Sequence, residues 1–354
     1  MKFKFTKYYA TFVVIIILFS MAEDNFSDIG RVEAIARLYE GTSYKPADNN
    51  LFETAGPAYI YNHSGLFLEG VDFDLVYFPL KHLGYKCVTA VVGEVYADFG
   101  RARGISVRIG VSSKLDFGHI RELWSGIVSA AREHNVSRLS LDLAPSRNGL
   151  AISISVVGET SLYVAGLRPE PKSKDLLCVS GSLGGAFLGM KVLERGLRNF
   201  DKDRTQPELE KYKMMIGSYL KPEISPDTIP NMEKEEIFPS AGYLVSNGLS
   251  DAVKRLVRDT GLGAKVYADR IPFEGNSFEV GKELDIDPVS AAMNGGEDYR
   301  LLFAVPIMQL DKFRRDFQTF DIIGHLARPE VGAVLVTPDG AELPIRAQGW
   351  NEEE

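Results

Sequence analysis

The segment 294–303, Asn294-Gly-Gly-Glu-Asp-Tyr-Arg-Leu-Leu-Phe303, constrains the fold more than any other part of the chain. Gly295 and Gly296 let a backbone reach positive φ or pass close to a neighbour. Glu297 and Asp298 follow at once, and Leu301, Leu302, Phe303, Ala304 and Val305 then form an unbroken apolar run. Such a run reads as a buried strand, which needs a covered sheet around it. Two acids at the mouth of a core strand suit a ligand site. The same residues also suit a loop that caps a neighbouring helix or strand.

At 354 residues the chain is long enough for two domains with real cores. Its net charge of -8 comes without a Lys/Arg-rich block, which argues against nucleic acid as a partner. Cys87 and Cys178 are too few for a disulfide framework or a metal cluster, and both read as reduced core side chains. His63, His82, His119, His134 and His325 show no metal-ligand spacing. Lys2, Lys4 and Lys7 precede an uncharged stretch over 8–22, which is short for a spanning helix. The basic start, the apolar run and Ser20-Met-Ala22 together resemble a secretory signal. Translation beginning at Met21 is a second reading and a membrane anchor a third. Residues 1–21 stand outside the fold as an apolar N-terminal extension.

Hydrophobic periodicity supplies the elements. Ile29, Val32, Ile35, Ala36 and Leu38 predict a short amphipathic helix, and 65–73 alternates loosely as a strand. The stretch 80–97 is rich in β-branched residues, which alone suggest a strand. Ile105, Val107, Ile109 and Val111 alternate cleanly, as do Leu150, Ile152, Ile154 and Val156. Between them Ile120, Leu123, Trp124, Ile127, Val128 and Ala131 keep helical spacing over 117–134. This half reads as α+β with an antiparallel sheet. Arg168-Pro-Glu-Pro-Lys-Ser-Lys174 has the composition of a linker. Beyond it the pattern predicts a strand over 175–180, a glycine turn over 181–185 and helices over 186–196 and near 208–220. A helix over 250–260 closed by Gly261, a strand beginning at Val266 and a helix around 313–317 follow. Pro338-Asp339-Gly340 makes a turn between two last strands. The turn 181–185 is no P-loop, but it could present backbone N–H groups to an anion.

Segment 294–303 resembles the Gly-Gly-Glu-Asp-Tyr-Glu-Leu motif of bacterial thiamine-monophosphate kinases, a family of the aminoimidazole-ribonucleotide synthetase superfamily. The likeness continues through Glu69-Gly-Val-Asp-Phe-Asp74, Leu83-Gly-Tyr-Lys86, Cys178-Val-Ser-Gly-Ser-Leu-Gly184 and Gln348-Gly-Trp350. It runs in order from about Ile29 to Trp350. The resemblance implies a two-domain α/β (α+β) fold and a helix over 80–97. The N-terminal domain, 27–167, would carry the ATP and metal site and pair its sheet with a second copy. The C-terminal α/β domain would span 168–350. The family reaction moves a phosphoryl group from ATP to thiamine monophosphate, giving thiamine diphosphate by direct in-line transfer with Mg2+. The implied cofactors are therefore ATP and Mg2+. The implied partner is a second copy in a homodimer, or an active paralogue in a mixed one. The family is cytosolic, which favours a start at Met21 and a cytoplasmic protein.

The family's acids carry over unevenly. Its early Gly-Asp-Asp-Ala-Ala falls near Gly56-Pro57-Ala58-Tyr59-Ile60, so both aspartates are gone. An Asp before the Glu-Gly-Val segment falls on Gly65, beside a retained hydroxyl at Ser64. A helical Ser-Asp falls on Gly93-Glu94, and a Gly-Gly-Asp on Ser140-Leu141-Asp142. Asp-Ile-Ser-Asp-Gly-Leu falls on Leu244-Val245-Ser246-Asn247-Gly248-Leu249. What remains for a metal is Glu94, Asp142, Asn247 and Ser64. Mg2+ prefers carboxylate and water oxygens, and each lost acid removes charge that would hold it against triphosphate. Arg168 matches an arginine that meets ATP phosphates, and Asp142 and Ser246 belong to the same ATP side. By composition alone Arg168 reads as an exposed linker charge.

On the substrate side the resemblance places Glu297 and Asp298 against thiamine phosphate, with Asp72 near the same ligand. Trp350 would stack on the cationic heterocycle, or else pack over a domain edge. Two functions follow: the family kinase, or a lapsed homologue that binds thiamine phosphate or nucleotide without turnover.

Overall fold

The computed structural model describes residues 26–44, 54, 56–204 and 206–347, so the apolar stretch 8–22 and Trp350 lie outside the described residues. The first half runs α1 (Phe26–Tyr39), β1 (Ala58–Leu68), α2 (Leu80–Ala97), β2 (Arg101–Ser112), α3 (Phe117–Glu133), β3 (Arg138–Ser146), β4 (Ala151–Ser161) and α4 (Leu162–Leu167). The second half begins with β5 (Leu176–Val179), α5 (Gly185–Asp203), α6 (Lys213–Leu220), α7 (Thr228–Lys234), β6 (Ala241–Val245), α8 (Leu249–Thr260) and β7 (Gly263–Tyr267). It ends with α9 (Ser277–Leu284), α10 (Pro288–Asn294), β8 (Arg300–Val305), α11 (Leu310–Asp316), β9 (Asp321–Ala327), β10 (Ala333–Val336) and β11 (Glu342–Pro344). One sheet has four strands, ordered β1-β4-β2-β3; the other has seven, ordered β11-β10-β7-β9-β5-β8-β6. Among the described residues no helix is long and apolar enough to cross a membrane.

The four-stranded sheet departs from the antiparallel expectation at one pair. β4 is antiparallel to β1 and β2, but β2 and β3 run parallel. The reason is α3, a crossover helix that returns the chain to the start of the next strand. The first strand also shifts. It occupies Ala58–Leu68 and stops before Gly70, whose φ of +82° turns the chain. The strand expected to begin at Val266 ends beside it instead, because β7 starts at Gly263. A Cβ at Gly263 would lie 2.4 Å from the Arg328 carbonyl oxygen, so only glycine lets the strand start there.

Helix α2 is the hub. Fifteen of its 18 residues are buried, so it has no solvent face and no clear amphipathic stripe. Val88, Thr89, Val91, Val92 and Val95 favour strands by propensity, but packing on every side overrides that weak preference. α3 crosses it in backbone contact: a Cβ at Gly84 would lie 2.1 Å from Leu123 O, and one at Gly126 1.9 Å from Lys81 O. The core of this half is continuous with the seven-stranded sheet. Val92 and Val95 belong to the same buried cluster as Leu244, Leu301 and Phe303. In that sheet β8 runs antiparallel between β5 and β6, with Leu301 to Val305 all buried. Cys87 and Cys178 are free and buried, as expected.

Candidate functional site

The glycine-acid segment sits where α2 meets β6 and β8. Asp287 caps α10 by accepting the Ser290 N–H at 2.9 Å, and the chain then turns through Gly295 and Gly296. Gly296 takes φ +77°, while Gly295 stays helical at −74°. The segment runs beside the loop after β6. Glu297 N–H donates to Ser246 O at 2.7 Å, and Tyr299 N–H to Val245 O at 2.9 Å. A Cβ at Gly248 would lie 2.5 Å from Met293 O, so the two segments touch through backbone. Ser246 and Asn247 are thus brought against Glu297. Glu297 and Tyr299 are both left-handed, with φ of 68° and 47°. Two non-glycine residues in that region, flanking Asp298, store strain that the surrounding packing must hold.

The two adjacent acids face different partners. Glu297 pairs with the ammonium of Lys86, which rises from α2 and is 2% exposed. Lys86 Nζ lies 3.9 Å from the Tyr219 ring centroid, 5.0 Å from that of Phe78 and 6.0 Å from that of Tyr299. This is an aromatic cage closed by a carboxylate, and rings of this kind stabilise a desolvated cation. Burial pulls the Lys86 pKa down, and Glu297 opposes that shift. The Glu297 side chain remains 25% exposed. Asp298 instead accepts N–H donors from Gly184 at 2.8 Å and Ala186 at 3.2 Å. The anion that the 181–185 turn was expected to meet is therefore this internal carboxylate, sealed at the start of α5. Burial pushes its carboxyl up to about 7, against the pull of those two donors.

Other sequence candidates have internal partners. Asp72 accepts the Leu68 N–H at 2.7 Å and closes its own turn. Arg168 is half-buried rather than a free linker charge. Its Nη1 donates to Asp98 O at 2.8 Å and its Nε to Pro239 O at 3.1 Å. Asp142 lies on β3 beside Arg108 of β2 and accepts its own Leu143 N–H at 2.9 Å. Ser64 lies on β1 opposite Ser155 of β4, and its neighbour His63 is hydrogen-bonded through Nε2 to Asp98 at 2.6 Å. Lys86 stood inside a quoted motif without a role. The signal that could have marked it is a charge in an otherwise apolar helix.

A divalent cation does not fit this donor set. Among the described residues no three His, Cys, Asp or Glu side chains converge as a metal site. Glu94 lies 3.8 Å from Arg255 Nη1, so its neighbour is already a cation. Arg255 also stands 3.0 Å from Asp251 and donates from Nη2 to Leu244 O at 2.7 Å. Burial pushes the Glu94 carboxyl up, with Arg255 opposing.

No family model matches the chain. A curated thiamine-monophosphate kinase of Aquifex aeolicus is 25% identical over 283 residues, covering 80% of this chain and 84% of that protein. One of Pyrococcus horikoshii is 26% identical over 275 residues, covering 76% and 79%. The solved complex "AaThiL complexed with AMPPCP and TMP" superposes with a TM-score of 0.67 at 19% identity, covering 97% of this chain and 96% of that one. The four- and seven-stranded sheets therefore form the aminoimidazole-ribonucleotide-synthetase-like fold. By these relatives, and by the order in which its own segments match them, the chain is a distant homologue of the thiamine-monophosphate kinases.

Proposed function

We propose that this protein is a lapsed kinase that binds a thiamine phosphate without transferring a phosphoryl group to it. The observation that carries this reading is the Glu94–Arg255 pair, a guanidinium 3.8 Å from the acid that by resemblance would hold metal. Phosphoryl transfer rests on positioning and metal electrostatics, and a resident cation beside one remaining acid supplies neither. The glycine-acid segment supports ligand binding. The Glu297 carboxylate keeps 25% exposure on the side away from Lys86, which suits a cationic heterocycle. The test titrates the full chain with thiamine monophosphate by calorimetry, without Mg2+, and follows thiamine diphosphate formation with ATP and Mg2+ present. Saturable binding without product is the expected result. Mg2+-dependent turnover would establish the family reaction and overturn the lapse.

The two halves correspond in this reading to domains over 27–167 and 168–350, working in the cytoplasm as a homodimer. What supports the dimer is β1. It is an edge strand, yet Tyr59, Ile60 and Leu66 on it are 58%, 52% and 60% exposed. Exposed apolar edges invite pairing with another strand. Sedimentation of the wild type is expected to give a dimer, and Ile60→Lys with Leu66→Lys a monomer. A monomeric wild type at micromolar concentration would remove the proposal.

A further inference from the structure

At the junction between α2 and the seven-stranded sheet the two elements pack in direct contact. A Cβ at Gly93 would lie 2.7 Å from Leu244 Cδ1 and 2.8 Å from Ile224 Cδ1. Leu244 is fully buried there. Nearby, a Cβ at Gly242 would lie 2.2 Å from the Ala97 carbonyl oxygen. β6 therefore presses its backbone and one leucine directly onto α2. One residue beyond Gly93, Glu94 of α2 faces Arg255 of α8, whose guanidinium also reaches Asp251 and Leu244 O. At the C-terminal end of α2, Arg168 ties Asp98 O to Pro239 O.

We infer that Leu244 and Arg255 together replace a bridging divalent cation and hold the two halves closed without metal. The inference rests on the metal-free reading above and deepens it. A cation between Glu94 and Asp251 would join two helices by neutralising both acids. The guanidinium puts one fixed positive charge between them, 3.8 Å from Glu94 and 3.0 Å from Asp251, held by its donor bond to Leu244 O, and it cannot dissociate. It halves the net negative charge of the Glu94–Asp251 pair, which weakens the pull on Mg2+. The leucine occupies the adjoining space, where a hydrated ion would need room for its own waters. The apolar and cationic contacts thus form one latch.

The experiment follows the melting temperature of the full chain in millimolar Mg2+ and in EDTA, with no thiamine phosphate or nucleotide present. Its outcome is therefore independent of whether the proposed ligand binds. The wild type is expected to melt at the same temperature in both, whereas a saturating metal would raise it by several degrees. Arg255→Gln is expected to melt lower and to regain part of the loss in Mg2+, because Glu94 and Asp251 are then unpaired. A saturable Mg2+ stabilisation of the wild type overturns the inference. So does an Arg255→Gln protein that melts like the wild type, or one that melts lower and ignores Mg2+. The wild-type comparison decides the matter alone if the variant fails to fold.

Discussion

Lys86→Met is expected to cost about 3–5 kcal/mol of folding stability, and the double variant Lys86→Met with Glu297→Gln is expected to recover much of that loss. The ammonium is all but buried, paired with Glu297 and set above the Tyr219 ring at 3.9 Å. Methionine fills the lysine stem's volume and is at home among aromatic rings, so the change removes charge rather than packing. What remains is a carboxylate whose one cation has gone, facing Phe78, Tyr219 and Tyr299. Its 25% exposure lets water relieve part of the penalty, which favours the lower end of the range. Glu297→Gln alone strands the cation instead. Lys86 has 3% side-chain exposure and no route to water, so only its rings compensate, by about 2 kcal/mol for a desolvated cation–π contact. Urea denaturation of the four proteins closes a double-mutant cycle. A coupling energy near zero would mean that the pair carries nothing and that the cage alone holds Lys86.

What the sequence displayed was the part of the fold that packs on one face. Ile105, Val107, Ile109 and Val111 alternate because one side of β2 is covered, and α3 shows its stripe because one side meets α2. Helix α2 displayed no such signal, since it is covered on every side, and its valines pointed to the wrong element. The parallel β2–β3 pair was implicit in the helix between them. β6, β9 and the short helices α9 and α10 were not singled out, because their runs are brief and interrupted by polar residues.

The site was legible as a place and illegible as a set of partners. Two glycines and two acids before an apolar run marked the segment correctly. Nothing local reveals that Glu297 meets a lysine 211 positions away, or that Asp298 closes a turn 114 positions away. The glycine turn at 181–185 did announce free N–H donors, and only the tertiary fold shows that their acceptor is internal. Arg255 reads in sequence as one charge on an amphipathic helix. Its meaning comes from Glu94 on another element.

Asp298→Asn is expected to gain on the wild type by up to about 4 kcal/mol as pH rises from about 4 to above 7. Burial raises the native carboxyl from 3.8 to about 7. Between those values the native state keeps a proton that the unfolded chain has released. Stability then falls as pH rises, at about 1.36 kcal/mol per unit for a single group. The contribution of Asp298 is thus fully present below about pH 4 and is lost as pH climbs to 7. Asparagine resembles the protonated form in having no charge to desolvate, and its one carbonyl oxygen keeps the Gly184 or the Ala186 donor but not both. Asp298→Ala removes both acceptors, leaves buried N–H groups at the start of α5 unpaired, and should cost about 2–4 kcal/mol near pH 5. Denaturation curves at pH 5 and pH 8 separate the cases. Parallel pH profiles for wild type and Asp298→Asn would mean that the carboxylate is ionised throughout. The two donors and the positive end of the helix would then outweigh burial. In either case the second acid of the segment clamps α5 to β8, which leaves Glu297, paired with Lys86 from within, as the acid that reaches solvent.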